Sequence, residues 1–159
     1  MNNLLRLLES DCTLSKKQLG AMVGASPERV EEMIRDLEKK NIILGYKAVV
    51  DWDATDRNDV TALIEVKVEP QRDTGFDRIA ERIYQYEEVE ACYLMSGSFD
   101  MTVIISGRSL KEVSNFVSLK LSTIEGVKST ATHFILKKYK DNHLIFKKQE
   151  KQEEGFVFV

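Results

Sequence analysis

The first third of the chain repeats its apolar residues at helical spacing. Leu4, Leu5, Leu7 and Leu8 form a wide apolar face on a short helix over residues 2–9. Ser15-Lys16-Lys17-Gln18 follows, with a hydroxyl and an amide three residues apart that can each satisfy a free amide at the start of a second helix. Leu19, Met22 and Val23 carry that helix to Gly24. Ser26-Pro27 opens a third, since proline at the first helical position gives up no hydrogen bond. Val30, Met33, Ile34 and Leu37 form its apolar stripe. Two short helices joined at Gly24-Ala25, with Gly20 where they approach, predict a helix-turn-helix. Residues 42–51 then alternate about Gly45 as a short β-wing.

From Val60 the period becomes two. Val60, Ala62, Ile64, Val66 and Val68 fall on one face, and Thr61, Leu63, Glu65 and Lys67 on the other. Thr74-Gly75-Phe76-Asp77 starts a helix with Phe76, Ile79, Ala80 and Ile83 as its inner stripe. Strands follow around 90–96 and 100–106, split by a turn at Gly97. A second capping box, Ser109-Leu110-Lys111-Glu112, begins a helix that ends near Ile124, and a last strand runs over about 127–136. The order β-α-β-β-α-β predicts an α+β chain: an N-terminal winged helix-turn-helix and a C-terminal ferredoxin-like sandwich. The expected divisions are 1–51 for the head, 52–59 for a polar linker, 60–140 for the sandwich and 141–159 for a tail. That tail ends in the apolar run Gly155-Phe156-Val157-Phe158-Val159, expected to pair with residues 143–146 or dock on a neighbouring subunit.

Both alternating sets of the later strands are apolar, Ile104 against Val103 and Ile105, and Phe134 and Leu136 against Ile135. Whichever set faces the helices, bulky residues remain on the other side. Such a patch predicts a homodimer joined sheet to sheet.

Composition narrows the function. At 159 residues, 43% hydrophobic and 31% charged, the chain is an ordinary globular protein. A net charge of -3 argues against a generic polyanion binder, though not against a specific DNA contact made by one basic face. No apolar run is long enough for a bilayer, and MNNLLRLLES lacks the basic start and cleavage site of a secretion signal. Cys12 and Cys92 lie far apart without metal-ligand spacing, which suits a reducing compartment and a cytoplasmic protein. His133 and His143 stand alone, so no metal or cofactor is expected. With no nucleophile-base pair or phosphate loop, no catalytic residue is expected either.

If the third helix enters the major groove of double-stranded DNA, Arg29 and Arg35 are the candidate readers or phosphate anchors. Ser26 stands at that helix's start. Lys16 and Lys17 would grip the backbone, and Lys47 on the wing likewise. Five acids in the same helix, Glu28, Glu31, Glu32, Asp36 and Glu38, oppose this assignment.

LSKKQLGAMVGAS, NIILGYKAVVD, VEACYLMSGSFDMTV and IEGVKSTATHFIL, in that order, resemble the Lrp/AsnC family of feast-or-famine transcription regulators. The resemblance spans almost the whole chain. Relatives usually have a longer first helix with an acidic start, and the acid-rich third helix is a second departure. The family implies dimers that assemble into tetramers or octamers, with an amino-acid effector bound between sensor domains. Gly97-Ser98-Phe99-Asp100 matches the family's Gly-x-x-Asp turn near its effectors, and Thr130 and Thr132 match its Thr-x-Thr strand. In such a turn, exposed amides suit a carboxylate and Asp100 can accept from an ammonium; equally, Gly97 and Asp100 suit a plain hairpin, and the threonines a plain strand. Two other readings compete: an effector-binding or assembly module with weak or lost DNA affinity, and an enzyme related to haem-pathway decarboxylases. The second lacks the cluster of basic and imidazole groups that an anionic tetrapyrrole requires.

Overall fold

The computed structural model describes residues 2–57, 59–69 and 75–146. It separates into two compact units that divide between Ala48 and Val49.

The N-terminal unit holds three helices, α1 (Asn2–Ser10), α2 (Lys16–Val23) and α3 (Pro27–Lys39). Leu4 and Leu8 of α1 meet Leu19 of α2 and Val30 and Leu37 of α3 in one buried cluster. The capping box forms in full: Ser15 Oγ accepts from the Gln18 amide at 3.3 Å, and Gln18 Oε1 accepts from the Ser15 amide at 2.9 Å. Helix α2 stops at Gly24 in the left-handed conformation, φ 70°, which suits glycine. Gly20 is required by the turn itself. A Cβ there would stand 2.5 Å from the carbonyl oxygen of Ala25, whose amide bonds back to the Gly20 carbonyl at 2.9 Å. Ser26 caps α3 by accepting from the Arg29 amide at 3.2 Å, with Pro27 next to it as expected.

The expected β-wing is not a strand. Residues 44–51 run without regular structure. A strand needs a partner for its ladder, and among the described residues none pairs with this segment. Its first amides are spent on α3 instead: those of Ile42 and Ile43 both donate to the Leu37 carbonyl, at 2.9 and 3.3 Å. Ile43 tucks against the head core, and the Tyr46 hydroxyl donates to Glu38 at 3.0 Å. Leu44 is left 87% exposed.

The second unit contains β1 (Val60–Val68), α4 (Asp77–Tyr84), β2 (Val89–Leu94), β3 (Met101–Gly107), α5 (Leu110–Leu119) and β4 (Val127–Phe134). All neighbours are antiparallel in the order β2-β3-β1-β4, the ferredoxin-like arrangement. Ala62, Ile64, Val66 and Val68 of β1 point into the core, as their alternation predicts, with Met101, Val103 and Ile105 from β3. Ile79 and Ile83 from α4 and Val113 and Phe116 from α5 cover them.

Several boundaries differ from expectation. Strand β4 ends at Phe134 rather than 136: the Ile135 amide still reaches the Thr61 carbonyl at 2.9 Å, but β1 begins at Val60 and its partner runs out. Helix α5 ends at Leu119, and a 3-10 turn over Leu121–Thr123 completes the span to Ile124. Its capping box is split, for Ser109 accepts from the Glu112 amide while Glu112 Oε2 accepts from Arg108 rather than Ser109. Thr74 lies outside the described residues, and α4 begins after Phe76 without a side-chain cap. A small hairpin pairs β5 (Lys140–Asp141) with β6 (Leu144–Ile145); the expected pairing of the tail beyond 146 lies outside the described residues.

Register sorts the two apolar sets. Phe134 pairs with Ala62 and so faces the helices, not the open side as one of the two alternatives had it. Ile104 pairs with Leu63 and lies next to Ala91, on the face the helices leave uncovered.

Candidate functional site

In the N-terminal unit the candidate DNA contacts lie at the starts of α2 and α3 and along the exposed side of α3. Buried Val30 and Leu37 fix which side of α3 faces inward. Helical geometry then turns Glu28, Arg29, Glu32, Arg35 and Lys39 outward. Three of the five candidate cations already have an acidic partner. Arg29 meets Glu32 at 2.9 Å, Arg35 meets Glu31 at 2.7 Å, and Lys16 reaches from α2 to the same Glu31 at 3.0 Å. The Lys16 ammonium, and then the Arg35 guanidinium, hold the Glu31 carboxyl below the usual carboxylate range. Lys17 and Lys47 are exposed, and no ion pair to either occurs among the described residues. Ser26 Oγ is engaged as the cap of α3. Lys47 sits in the irregular segment after Tyr46 rather than on a strand, so its backbone is not fixed by a ladder. Sequence reasoning listed Glu31 only among opposing charges. Its role as the link between the two helices was not legible, although its i,i+4 spacing to Arg35 was a usable signal.

In the second unit, residues 96–100 form the bend between β2 and β3. Gly97 and Ser98 are exposed, Phe99 and Asp100 half-buried. Gly97 has φ 159°, at the edge of extended backbone, and a Cβ there would meet nothing within 4 Å. Glycine thus leaves open space beside the chain rather than making a tight left-handed turn. Asp100 has a defined structural task. Its Oδ2 accepts from the Val68 amide at 2.9 Å, and its own amide donates to the Val66 carbonyl at 3.1 Å. The carboxylate stands in for a main-chain carbonyl where the β1–β3 ladder ends at Val66–Met101. Its Oδ1 has no hydrogen bond among the described residues.

Thr130 and Thr132 pair with Val66 and Ile64, both fully buried beneath the helices, so their side chains lie on the helix-covered face. The structure therefore places the turn and Thr130 at the same end of β1, but does not bring both threonines and the Asp100 carboxylate onto one open face. Glu65 meets His133 at 3.5 Å on the other face, a surface pair rather than part of a metal cluster. Among the described residues no group of three metal-ligating side chains forms, and no helix is long and apolar enough to cross a membrane.

A helix-turn-helix ahead of a ferredoxin-like sandwich defines a DNA-binding regulator with an attached ligand-binding domain. Comparison with known proteins agrees: the model of a winged helix-turn-helix DNA-binding domain matches residues 2–43, and that of the Lrp/AsnC ligand binding domain matches residues 61–145. The chain belongs to the Lrp/AsnC family of transcription regulators. It is 46% identical to the uncharacterized HTH-type transcriptional regulator YugG of Bacillus subtilis, over 90% of this chain and 87% of that protein. It is 26% identical to the leucine-responsive regulatory protein of Escherichia coli, over 91% of this chain and 88% of that one. A Neisseria meningitidis transcriptional regulator solved as its L-Met complex shares the fold, with TM-score 0.68 at 23% identity, covering 87% of this chain and 88% of its own. These relatives are regulators of transcription rather than enzymes.

Proposed function

We propose that this regulator senses an amino acid or close analogue at the Gly97–Asp100 turn and passes the signal to DNA through its assembly. The observation that carries the reading is the Asp100 carboxylate: one oxygen is fixed by Val68, and the other, with no hydrogen bond among the described residues, can accept from an α-ammonium beside the exposed Gly97-Ser98 backbone. The Neisseria relative, with L-Met bound, supports the ligand class. Thr130 and Thr132 then act behind the sheet, shaping the site rather than touching the zwitterion. Ile104, Leu63 and Tyr93 on the uncovered face support a homodimer joined through the sheets and building to a tetramer or octamer. Lys16, Lys17 and Lys47 serve phosphates, Arg29 and Arg35 the bases or their flanking phosphates, and Ser26 sets the start of the reading helix. The cytoplasm, where chromosomal DNA and free amino acids meet, is its place of action.

A thermal-shift screen against the twenty amino acids identifies the ligand, since a molecule that binds only the folded form must stabilise it. Titration of the wild type and Asp100→Asn then tests the site. Asparagine keeps a carbonyl oxygen for Val68 but removes the charge, so apo stability holds and affinity falls. Unchanged affinity rejects the turn as the ammonium site. Sedimentation with and without ligand must differ, because a ligand that binds all states equally shifts nothing. Ile104→Lys should dissociate the oligomer with the secondary structure retained.

A further inference from the structure

We propose that Glu31 acts as an internal stand-in for DNA phosphate, holding Lys16 and Arg35 so that the head binds DNA of any sequence weakly until phosphates displace the carboxylate. The proposal rests on the reading of α3 as the helix that enters the groove.

Three observations converge on this residue. Glu31 is the one acid in the head that bridges two helices, taking Lys16 from α2 at 3.0 Å and Arg35 from its own helix at 2.7 Å, among the described residues. These are two of the positive groups that a helix-turn-helix offers to the backbone and the groove. The Glu31 side chain is 37% exposed against 64% for Glu32, so its carboxylate is held closer to the protein than a solvated surface acid. Helix α3 also carries five acids against three bases between Pro27 and Lys39, so its cations face DNA from within a negative field.

The consequence follows from the electrostatics of DNA binding. Nonspecific affinity comes almost entirely from cations that neutralise phosphates and release counterions. A cation already held by a carboxylate contributes little until a phosphate displaces that carboxylate. Each such exchange lowers affinity for every sequence by a similar factor. At the operator, base contacts supply the difference. Specificity is a ratio of affinities, so this common factor cancels from it and the whole cost falls on affinity for DNA of any sequence.

The test compares Glu31→Gln with Asp36→Asn. Both remove one negative charge from α3, but Asp36 makes no ion pair among the described residues. Each protein is titrated with a random-sequence duplex and with the duplex upstream of its own gene, across a salt series. Glu31→Gln should bind the random duplex roughly threefold to tenfold more tightly near 0.1 M salt, the scale of two exposed ion pairs released. Its log-log salt slope should steepen by about 0.9 for each cation freed. The upstream duplex should gain by a similar factor, so that the preference for it stays as in the wild type. Asp36→Asn should leave the slope as in the wild type, and in an Arg35→Ala background the gain from Glu31→Gln should shrink. Equal changes in Glu31→Gln and Asp36→Asn overturn the proposal, since charge alone then accounts for them. Weaker binding of Glu31→Gln to the upstream duplex alone also overturns it and makes Glu31 a direct reader. Arg35→Ala tests the underlying reading separately: if it binds both duplexes as the wild type does, α3 is not at the DNA. If it weakens binding while Glu31→Gln is silent, the helix reads DNA and the role given to Glu31 fails. Unchanged helical circular dichroism in each variant confirms that the head stays folded.

Discussion

The head and the sensor domain are stabilised in different ways. Among the described residues the head closes around five buried side chains, Leu4, Leu8, Leu19, Val30 and Leu37, while the sensor core has thirteen. So small a core leaves the head dependent on local devices: a full capping box at Ser15, a left-handed Gly24, a Gly20 that admits the Ala25 carbonyl and a capped, proline-led α3. The sensor relies on ladder and layer. Its β1 is buried residue by alternate residue between β3 and β4, and α4 begins with no side-chain cap at all. Electrostatics divides the same way. The ion pairs of the head lie on α2 and α3, the helices proposed to meet DNA, whereas Lys120 of the sensor pairs with Glu88 and lies over the Tyr86 ring at 5.2 Å. A compact reading head is assembled from turn chemistry; a sensing sheet is assembled from packing.

The largest expected effect tests packing. Ile64→Ala empties a fully buried site in the middle of the central strand β1. It should cost about 2–5 kcal/mol and lower the sensor's transition in a denaturant melt. If the two units unfold separately, the helical signal of the head should persist through it.

Gly20→Ala reverses the comparison. Helix propensity alone would favour alanine by about 1 kcal/mol. The contact at 2.5 Å is with backbone oxygen, which cannot rotate away, so a net loss of about 1–3 kcal/mol is expected in the head. Stabilisation by this change would show that the turn can open without penalty.

Ser15→Ala removes one half of the capping box and should cost about 1 kcal/mol. The matching change in the sensor, Ser109→Ala, should cost less, because the Ser15 hydroxyl also donates to Gln18 Oε1 at 2.7 Å, whereas Ser109 only accepts from the Glu112 amide among the described residues. Equal losses in the two melts would erase the distinction between the two caps.

The smallest effect is that of acid. Asp11, Glu28 and Glu31 in the head all have lowered pKa values: Asp11 from the Thr13 side chain first, Glu28 from its own backbone amide and then Ser26, and Glu31 from Lys16 and then Arg35. Glu88, held by Lys120, is the corresponding group among the described residues of the sensor. A carboxyl whose folded pKa is depressed adds stability above its unfolded value and loses it as pH falls through the folded one. The head should therefore weaken first as pH drops below about 4, the ordinary carboxylate range. A sensor that melts earlier in acid would reverse that order.

Much of this molecule could be read from local residue patterns. The helical repeat of leucines, Ser15 with Gln18, Gly24 and Ser26-Pro27 specify three helices and their turns, because each cap is satisfied within a few residues of itself. The alternation from Val60 to Val68 likewise specifies which side of β1 is buried, since strand geometry puts alternate residues on opposite faces. Tertiary structure decided what depends on a partner. Residues 42–51 alternate like a strand but meet no ladder, so the wing stays irregular. Phe134 and Ile104 could be sorted to opposite faces only once β4 and β3 were placed in register beside β1. Asp100 reads in sequence as a ligand group or a hairpin residue, but its bond from the Val68 amide, 32 positions away, could not be read there. Glu31 was one acid among five until α2 brought Lys16 beside it. Caps and periodicity are satisfied by neighbours along the chain and are written in it; register, ladder ends and bridging charges belong to residues that only the folded chain brings together.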